Sequence, residues 1–395
     1  MINVPLETVL LSLESGARPK GGVSADSGDI PSIGGEHLTD DGGFDFTNIK
    51  RIPMYFFKKM RSGHVVPLDI LIVKDGATTG KTSFVRSNFP FREAAVNEHV
   101  FCVRVNPEKA SPIYIYHFLR STEGQKAIQL DFRGATVGGI SREFTAKTVL
   151  PLPSLPEQQR IADILDRVET LRAKRRAALA QLDELSQSIF LEIFGDPVKN
   201  PKGWSKRPFG DVCVSRLGKM LDQKQQTGKH LRPYLRNANV QWFHFDLIDV
   251  FKMDFNEAAR KEFRLEDGDL LICEGGEPGR AAIWKGELEE CYYQKALHCA
   301  RPHQDLANSE YLAWLLWFFS ARGGLGDHVT AATIAHLTGE KLKAMKIPLP
   351  PISLQKEFAR RVEAVEKLKT AHKASLAELN ELFTSLQYRA FRGEL

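Results

Sequence analysis

The chain has 395 residues, which is enough for two or three domains that each bury a core. Its 43% hydrophobic and 26% charged residues are typical of a soluble globular protein and not of a more unusual compositional class. Lys and Arg exceed Asp and Glu by only 54 to 49, so the charge is compatible with an acidic partner such as DNA but does not indicate one.

The N-terminus and the apolar runs show no membrane or export segment. MINVPLETVL lacks a basic region followed by an apolar core. The longest apolar run, YLAWLLWFF at 311–319, is less than half the length of a membrane span. The five cysteines form no CxxC pair, which is typical of a reducing compartment. We therefore expect a cytoplasmic protein without membrane association.

Residues 74–83, KDGATTGKTS, look at first like a phosphate-binding loop. Such a loop has four residues between its glycines, followed by Lys and Ser or Thr. Only three residues separate Gly76 from Gly80, although Lys81 and Thr82 follow as required. The spacing favours a strand–turn–strand hairpin, with a nucleotide-dependent enzyme as the weaker alternative.

Apolar stretches separated by glycine turns indicate strands, as at 69–73 (DILIV), 99–105 (HVFCVRV) and 269–274 (DLLICE). Helices are expected around Tyr114 and Tyr311. The order of these elements favours an α+β fold over alternating βαβ units. Cys291, His298, Cys299 and His303 match no standard zinc spacing, so we expect structural roles for them and no metal site.

The chain repeats itself at an offset of 197 residues. LPLPSLPEQQRIA at 150–162 matches IPLPPISLQKEFA at 347–359, and pairing without gaps continues to Phe194 and Phe391. This repeat predicts two mixed α/β domains, each with an appended segment. The predicted boundaries are 1–149, 150–196, 197–346 and 347–395.

The second copy carries a counterpart of the glycine motif at 273–284, CEGGEPGRAAIW. Arg280 replaces Lys81, and Ala281 stands where a phosphate-binding loop needs a hydroxyl group. Both copies therefore keep a glycine turn and one cation. Such a cation suits a DNA phosphate or a guanine edge.

A long helix is predicted after each PLP sequence, over about 157–194 and 354–392. Apolar residues at heptad spacing predict that the two helices, each about 55 Å long, pair as an antiparallel coiled coil with approximate two-fold symmetry. Arg175 and His372 are polar positions midway along this stripe. The predicted helix-pairing and partner-interface residues are Ile161, Val168, Leu171, Arg175, Leu182, Leu185, Phe358, Val365, Leu368, His372, Leu379 and Leu382.

Two tandem variable domains, each followed by PLP…Q and a heptad helix, resemble the specificity (S) subunit of type I restriction–modification enzymes. VLPLPSLPEQQRIADIL, KIPLPPISLQKEFARRV and the helix ends FGDP and FRGEL carry the resemblance, which covers the whole chain. It implies that each variable domain is a target recognition domain for one half of a bipartite double-stranded DNA sequence. It also implies helices that set the spacer and dock modification (methyltransferase) subunits, expected to be two, with restriction subunits joining that core.

The resemblance further implies a non-catalytic chain without a cofactor, with S-adenosylmethionine, ATP and Mg on the partner subunits. The residues agree, because the nearest approach to an adenine-methyltransferase motif, at 88–91 (NFPF), lacks its first proline. Two further alternatives are the recognition subunit of a related multisubunit restriction or methylation system and a coiled-coil adaptor without a nucleic-acid role.

Candidate DNA-contacting residues come from loops and glycine turns. The loop 133–142 matches 330–339, and Arg236 and Asn237 are side chains suited to guanine and adenine. Each candidate is also compatible with a solvated surface or turn residue. The predicted set is Arg18, Lys20, Lys81, Arg133, Thr136, Arg142, Arg216, Lys219, Arg236, Asn237, Arg280 and Thr333.

Overall fold

A computed structural model describes residues 2–20, 22, 28–134, 138–221, 226–326 and 336–395. The chain divides into two compact units, residues 1–177 with 373–395 (unit 1) and residues 178–372 (unit 2). The division cuts both long helices near their middles. Each unit therefore contains one mixed α/β domain and half of each helix.

The domain of unit 1 is built on a four-stranded antiparallel sheet of order β2-β8-β5-β6. A three-stranded sheet, β4-β3-β7, and the pair β1-β9 complete it. The bounds are β1 Ile2–Pro5, β2 Leu10–Ser15, β3 Ile30–Ile33, β4 Lys50–Ile52, α1 Met54–Lys59, β5 Ile70–Val73, β6 Thr82–Phe84, β7 Ala95–Val96, β8 Val100–Val105, α2 Pro112–Arg120, α3 Thr122–Gln129, α4 Phe144–Lys147 and β9 Val149–Leu152.

Unit 2 repeats this topology. Its sheets have the orders β11-β19-β16-β17, β15-β12-β18 and β10-β20, and it adds the small hairpin β13-β14. The bounds are β10 Lys206–Pro208, α6 Phe209–Val212, β11 Cys213–Leu217, β12 Leu231–Leu235, β13 Val240–Gln241, β14 His244–Phe245, β15 Phe251–Asp254, α7 Glu257–Phe263, β16 Leu270–Cys273, β17 Ala281–Ile283, β18 Tyr292–Tyr293, β19 Leu297–Pro302, α8 Ser309–Ala321, α9 Gly339–Ala344 and β20 Lys346–Pro348.

The repeat extends to strand direction, because β3 pairs with β7 in parallel and β12 pairs with β18 in parallel, within otherwise antiparallel sheets. The central strands β5 and β16 are buried along their whole length and are apolar, as expected for strands covered on both faces. The predicted α+β class, the strands at 69–73, 99–105 and 269–274, and the helices at Tyr114 and Tyr311 are confirmed.

The two long helices are α5, Leu155–Phe194, and α10, Ile352–Ala390. A buried glutamine fixes the first turn of each helix to its domain. Gln158 accepts a hydrogen bond from the backbone N–H of Ser111 (2.8 Å) and donates one to the carbonyl of Pro153 (2.9 Å). Gln355 accepts from the N–H of Asn308 (3.0 Å) and donates to the carbonyls of Pro350 and Leu306. The glutamine of the PLP…Q sequence is thus a structural anchor in both copies.

The helices pair antiparallel within each unit. In unit 2, Asp183 lies 2.8 Å from Lys369, and Phe190, further along α5, packs against Phe358, earlier in α10. In unit 1, Arg172 donates to Asn380 (2.7 Å) and stacks on the ring of Phe383. The predicted antiparallel pairing is confirmed within each unit. The approximate two-fold symmetry stays a prediction, as do the four domain boundaries.

Several predicted pairing residues occupy the buried stripe: Ile161, Val168, Phe358 and Val365 are at most 7% exposed, and Leu182 and Leu379 pack against the cores. Arg175 and His372 are half-buried. Four leucines, however, lie outside the stripe and are 43–52% exposed: Leu171, Leu185, Leu368 and Leu382.

The residue that faces the partner helix in each case is the next one: Ser186, Lys369 and Phe383 are buried, and Arg172 is half-buried. The seven-residue spacing is kept, but the second stripe position of each repeat lies four residues after the first and not three, as Arg172 follows Val168 and Lys369 follows Val365. The predicted heptad phase is corrected accordingly.

Candidate nucleic-acid interface

The glycine motifs form tight hairpins between β5 and β6 and between β16 and β17. In the first, the N–H of Gly80 bonds to the carbonyl of Val73 (2.8 Å); in the second, Gly279 bonds to Cys273 (3.0 Å). Gly80 and Gly279 have φ of +92° and +88°, a region that favours glycine, and each directly precedes the cation.

This geometry overturns the phosphate-loop alternative. A phosphate-binding loop leads into a helix whose N-terminus faces the phosphate, but the motif here leads into strand β6. Thr82 is 3% exposed, and its hydroxyl donates to the carbonyl of Gly80 (2.8 Å). The residue that would hold magnesium in such a loop is therefore buried in the sheet.

Lys81, the turn cation of unit 1, lies 2.9 Å from the carboxylate of Asp40. The side chain of Lys81 is 22% exposed, whereas that of Asp40 is 92% exposed. Asp40 sits at the tip of the hairpin 38–44, whose strands are joined by the bridge between Leu38 and Phe44. Arg120 holds this tip by donating to the backbone carbonyl of Asp40 (3.1 Å).

Arg280, the turn cation of unit 2, pairs with Glu277 of the same turn (3.1 Å). Its second terminal nitrogen donates to the backbone carbonyl of Asn237 (3.1 Å), and the Asn237 side chain donates to the carbonyl of Gly275. Trp242 donates its indole N–H to Glu277 (2.7 Å). The structure thus brings together Asn237 and Arg280, which were predicted from separate segments.

Arg236 precedes this cluster and is stacked 3.5 Å above the ring of Phe251. It also pairs with the exposed carboxylate of Asp249 (2.9 Å). Stacking on an aromatic ring fixes the plane of the guanidinium group and leaves its edges for planar, bidentate recognition.

Predicted cations in the loop after β2, in strand β11 and in the loop after β11 also have carboxylate or carbonyl partners. Arg18 pairs with Glu98 (3.0 Å), and Arg216 pairs with Glu262. Lys219 donates to the backbone carbonyl of Asp254 and lies over the ring of Phe255. Lys20 is exposed.

The buried carboxylate of Asp131 joins the segments 131–134 and 138–147. It accepts hydrogen bonds from the N–H and hydroxyl of Ser141 (both 2.7 Å) and from Lys147. Burial alone would raise the pKa of Asp131, but the bonds from Lys147 and Ser141 outweigh it and lower that pKa to about 2. Arg133, 60% exposed, pairs with Asp131 and Glu143.

Arg142, in the second of these segments, donates to the carbonyl of Leu13 (2.7 Å). Thr136 and Thr333 lie outside the described residues. The predicted DNA contacts of all these residues stay predictions.

An ionic cluster that the sequence did not reveal joins the domain of unit 1 to α5. Arg86 donates two hydrogen bonds to Asp166 (2.7 and 2.9 Å), His117 also bonds to Asp166, and Arg120 pairs with Glu169. Burial would raise the pKa of Asp166, but the bonds from Arg86 and His117 lower it well below the usual range.

Ligand atoms of His117, Asp166 and Glu169 lie within 4.8 Å of one another, as in a metal site. However, both carboxylates already carry an arginine, whose charge is permanent and repels a cation. The cluster is therefore an ion-pair network and does not suit a metal ion.

The cysteine–histidine group of unit 2 has structural contacts. His298 bonds to the backbone carbonyl of Leu337 (2.9 Å), and burial lowers its pKa. All five cysteines are buried free thiols, and burial raises the pKa of each one above its ordinary value. A raised pKa disfavours the thiolate, which is the form that binds metals.

Among the helices of the described ranges, none combines the length and apolar character needed to cross a membrane.

The sequence matches the family described as "Type I restriction modification DNA specificity domain" twice, over residues 6–181 and 201–381. The chain belongs to this DNA specificity family. It is 26% identical to the specificity subunit of the type I restriction enzyme EcoKI from Escherichia coli K12, over 93% of this chain and 82% of that one. It is 24% identical to the StySPI specificity subunit from Salmonella potsdam, with the same coverages.

Two solved structures share the fold of this specificity-family chain. The S subunit of a type I restriction–modification system from M. genitalium superposes with a TM-score of 0.61 at 13% identity, over 99% of this chain and 96% of that one. A chain from a structure of the type I restriction–modification system, solved to explain complex assembly and conformational transition, superposes with a TM-score of 0.59 at 21% identity. The superposition covers 100% of this chain and 98% of that one. Each DNA specificity domain of the present chain contains one glycine hairpin with its cation, Lys81 or Arg280.

Proposed function

We propose that this chain is the DNA-recognition and scaffold subunit of a type I restriction–modification complex. Each recognition domain binds one half of a bipartite target in double-stranded DNA, and the paired long helices set the spacer between the halves. The duplicated specificity domain, with one glycine-turn cation in each copy, is the observation that carries this proposal.

The same proposal assigns the exposed leucines of the long helices to the docking of modification subunits. Next to the buried stripe, unit 1 exposes Leu171 and Leu382, and unit 2 exposes Leu185 and Leu368, so that each unit has such a leucine on both helices. Contiguous exposed apolar patches mark protein interfaces, and we take each leucine pair as the centre of such a patch. Because each unit offers one such pair, we propose two modification subunits, to which restriction subunits are added.

In this assembly the chain supplies binding and orientation and no catalytic group. S-adenosylmethionine is proposed to bind to the modification subunits, and ATP and Mg to the restriction subunits. The arrangement is consistent with DNA-facing side chains that are permanently charged or amide groups, without an activated nucleophile among them.

The test is a map of methylated adenines in cells that express this chain together with its modification subunit. A split sequence with a spacer of fixed length is expected, and it should be absent without this chain. Replacing residues 1–149 by the domain of another specificity subunit should change one half of the sequence only. A continuous motif, or methylation that does not depend on this chain, would contradict the proposal. The proteins that copurify distinguish a type I system from a related multisubunit system.

A further inference from the structure

The cation at each glycine turn already has a carboxylate partner, and the two copies obtain this partner in different ways. In unit 1 the carboxylate comes from the neighbouring hairpin tip, where Asp40 lies 2.9 Å from Lys81. In unit 2 the equivalent tip is the turn between β13 and β14, which presents Trp242. Trp242 instead orients Glu277, and Glu277 pairs with Arg280.

Both ion pairs expose the carboxylate more than the cation. Asp40 is 92% exposed against 22% for Lys81, and Glu277 is 45% exposed against 17% for Arg280. Exposed ion pairs are worth at most about 1 kcal/mol. The carboxylates are therefore displaced at little cost by a phosphate, whose binding releases condensed counterions from DNA.

We infer that Asp40 and Glu277 are built-in counter-ions that compete with DNA phosphates for Lys81 and Arg280. This inference rests on the proposed function, because it requires the glycine turns to face DNA. The exchange of one anion for another leaves the number of released ions nearly unchanged: a phosphate loses a cation, and the freed carboxylate acquires one. The turn cations then add little to non-specific affinity, which is almost entirely electrostatic.

Carboxylate partners recur at other predicted DNA-contacting residues, and at Arg236 the carboxylate is again the more exposed group. Arg236 pairs with Asp249, which is 69% exposed, and Arg133 pairs with Glu143, which is 63% exposed. The recognition surfaces thus carry balanced charge, in keeping with the small overall excess of 54 basic over 49 acidic residues. For a protein that must find one sequence in a genome, weak non-specific binding favours the correct target.

The test measures binding of the complete complex of this chain and its modification subunit to a non-specific duplex over a range of NaCl concentrations. Asp40→Asn keeps the shape and the backbone contact with Arg120 but removes the charge. The plot of log K against log [NaCl] should steepen by about one unit, and affinity at low salt should rise about threefold or more. Glu277→Gln, which retains an acceptor for Trp242, should act likewise through Arg280.

A double-mutant cycle assigns the effect to the ion pair. Lys81→Ala should change the slope little in the native background, but it should remove the extra unit in the Asp40→Asn background. Glu157→Gln is the matched control, because it removes the carboxylate of another exposed pair in unit 1, with Arg160 at 2.7 Å. Equal slopes for Asp40→Asn and Glu157→Gln, or no change in either, would overturn the inference.

Failure of the proposed function gives a different result. A native complex that neither binds DNA nor methylates a split sequence would refute the recognition role. If the native complex methylates its target while Asp40→Asn leaves the salt slope unchanged, only the counter-ion inference is wrong.

Discussion

The hydroxyl of Tyr114 donates a hydrogen bond to the backbone carbonyl of Pro151 at 2.8 Å. Tyr311 and Pro348, each 197 positions later, repeat this bond at 2.6 Å. A buried tyrosine on the helix of each domain thus fixes the proline segment that leads into the long helix. Together with Gln158 and Gln355, these bonds determine where each long helix leaves its domain.

Replacing the anchoring glutamine should destabilise the chain. Gln158→Ala leaves the buried N–H of Ser111 without an acceptor, so we expect a loss of about 2 kcal/mol in the free energy of unfolding. Urea denaturation measures it. The adjacent Gln159 is exposed and bonds to Asp163 on the helix surface, and Gln159→Ala should cost less than about 0.5 kcal/mol. Equal losses for the two variants would refute the anchor.

The exposed leucines of unit 1 should be needed for partner binding and not for folding. The double substitution Leu171→Asp and Leu382→Asp would place two charges in the proposed apolar interface. Copurification with the modification subunit should therefore fall at least about tenfold. Thermal stability should be nearly unchanged, because both side chains are exposed. Leu130→Asp is the control, at a residue 74% exposed outside the long helices. Undiminished copurification would exclude these leucines from the interface.

Shortening both helices should shorten the spacer in the target. Deleting 173–179 and 370–376 removes about 10 Å of helix, or about three base pairs of DNA, and preserves the pairing register. The map of methylated adenines should show half-sites closer by that amount. Deletion in one helix only should abolish assembly, because the contacts Arg172–Asn380 and Asp183–Lys369 can then no longer form together. An unchanged spacer would show that helix length does not set the distance.

The stability contributed by Asp131 should vanish in acid. Its pKa is lowered to about 2 in the folded chain, against an ordinary value of 3.8, so it stabilises the fold above pH 4 and loses this effect as pH falls toward 2. Asp131→Asn should cost about 1–2 kcal/mol at pH 7, and the two unfolding free energies should converge only below about pH 2, the folded pKa of Asp131. Glu143→Gln is the control, because Glu143 is 63% exposed and its pairs are worth little.

Much of the fold can be predicted from the sequence because the chain contains two copies of the same pattern of elements. The offset of 197 residues, the buried apolar strands and the two helices without Pro or Gly interiors each predicted an element that the structure contains. The phase of the helix stripe did not follow, because three of its buried or half-buried positions are Arg172, Ser186 and Lys369. A hydrophobic pattern selects the neighbouring leucines instead.

The sequence predicted the cations of the candidate site but did not predict which carboxylates pair with them. Lys81 and Arg280 follow from equivalent glycine turns, but the contact with Asp40 depends on how a separate hairpin folds back onto the first turn. Glu277 lies three residues before Arg280, but the sequence alone does not identify it as the ion-pair partner of Arg280. The network of Arg86, Asp166 and Arg120 joins residues from three segments, and no local pattern marks it.

Unit 1 combines two distant segments of the sequence, because residues 373–395 complete the unit that residues 1–177 begin. Phe391 packs 5.5 Å from Tyr114 and 5.3 Å from Phe118, between ring centres. On the ribosome, the residues of the first recognition domain up to 177 emerge early but lack Phe391 until that part of the chain has been synthesised. The N-terminal domain therefore reaches its final packing no earlier than the domain that follows it, and a chain that terminates prematurely exposes an unfinished core.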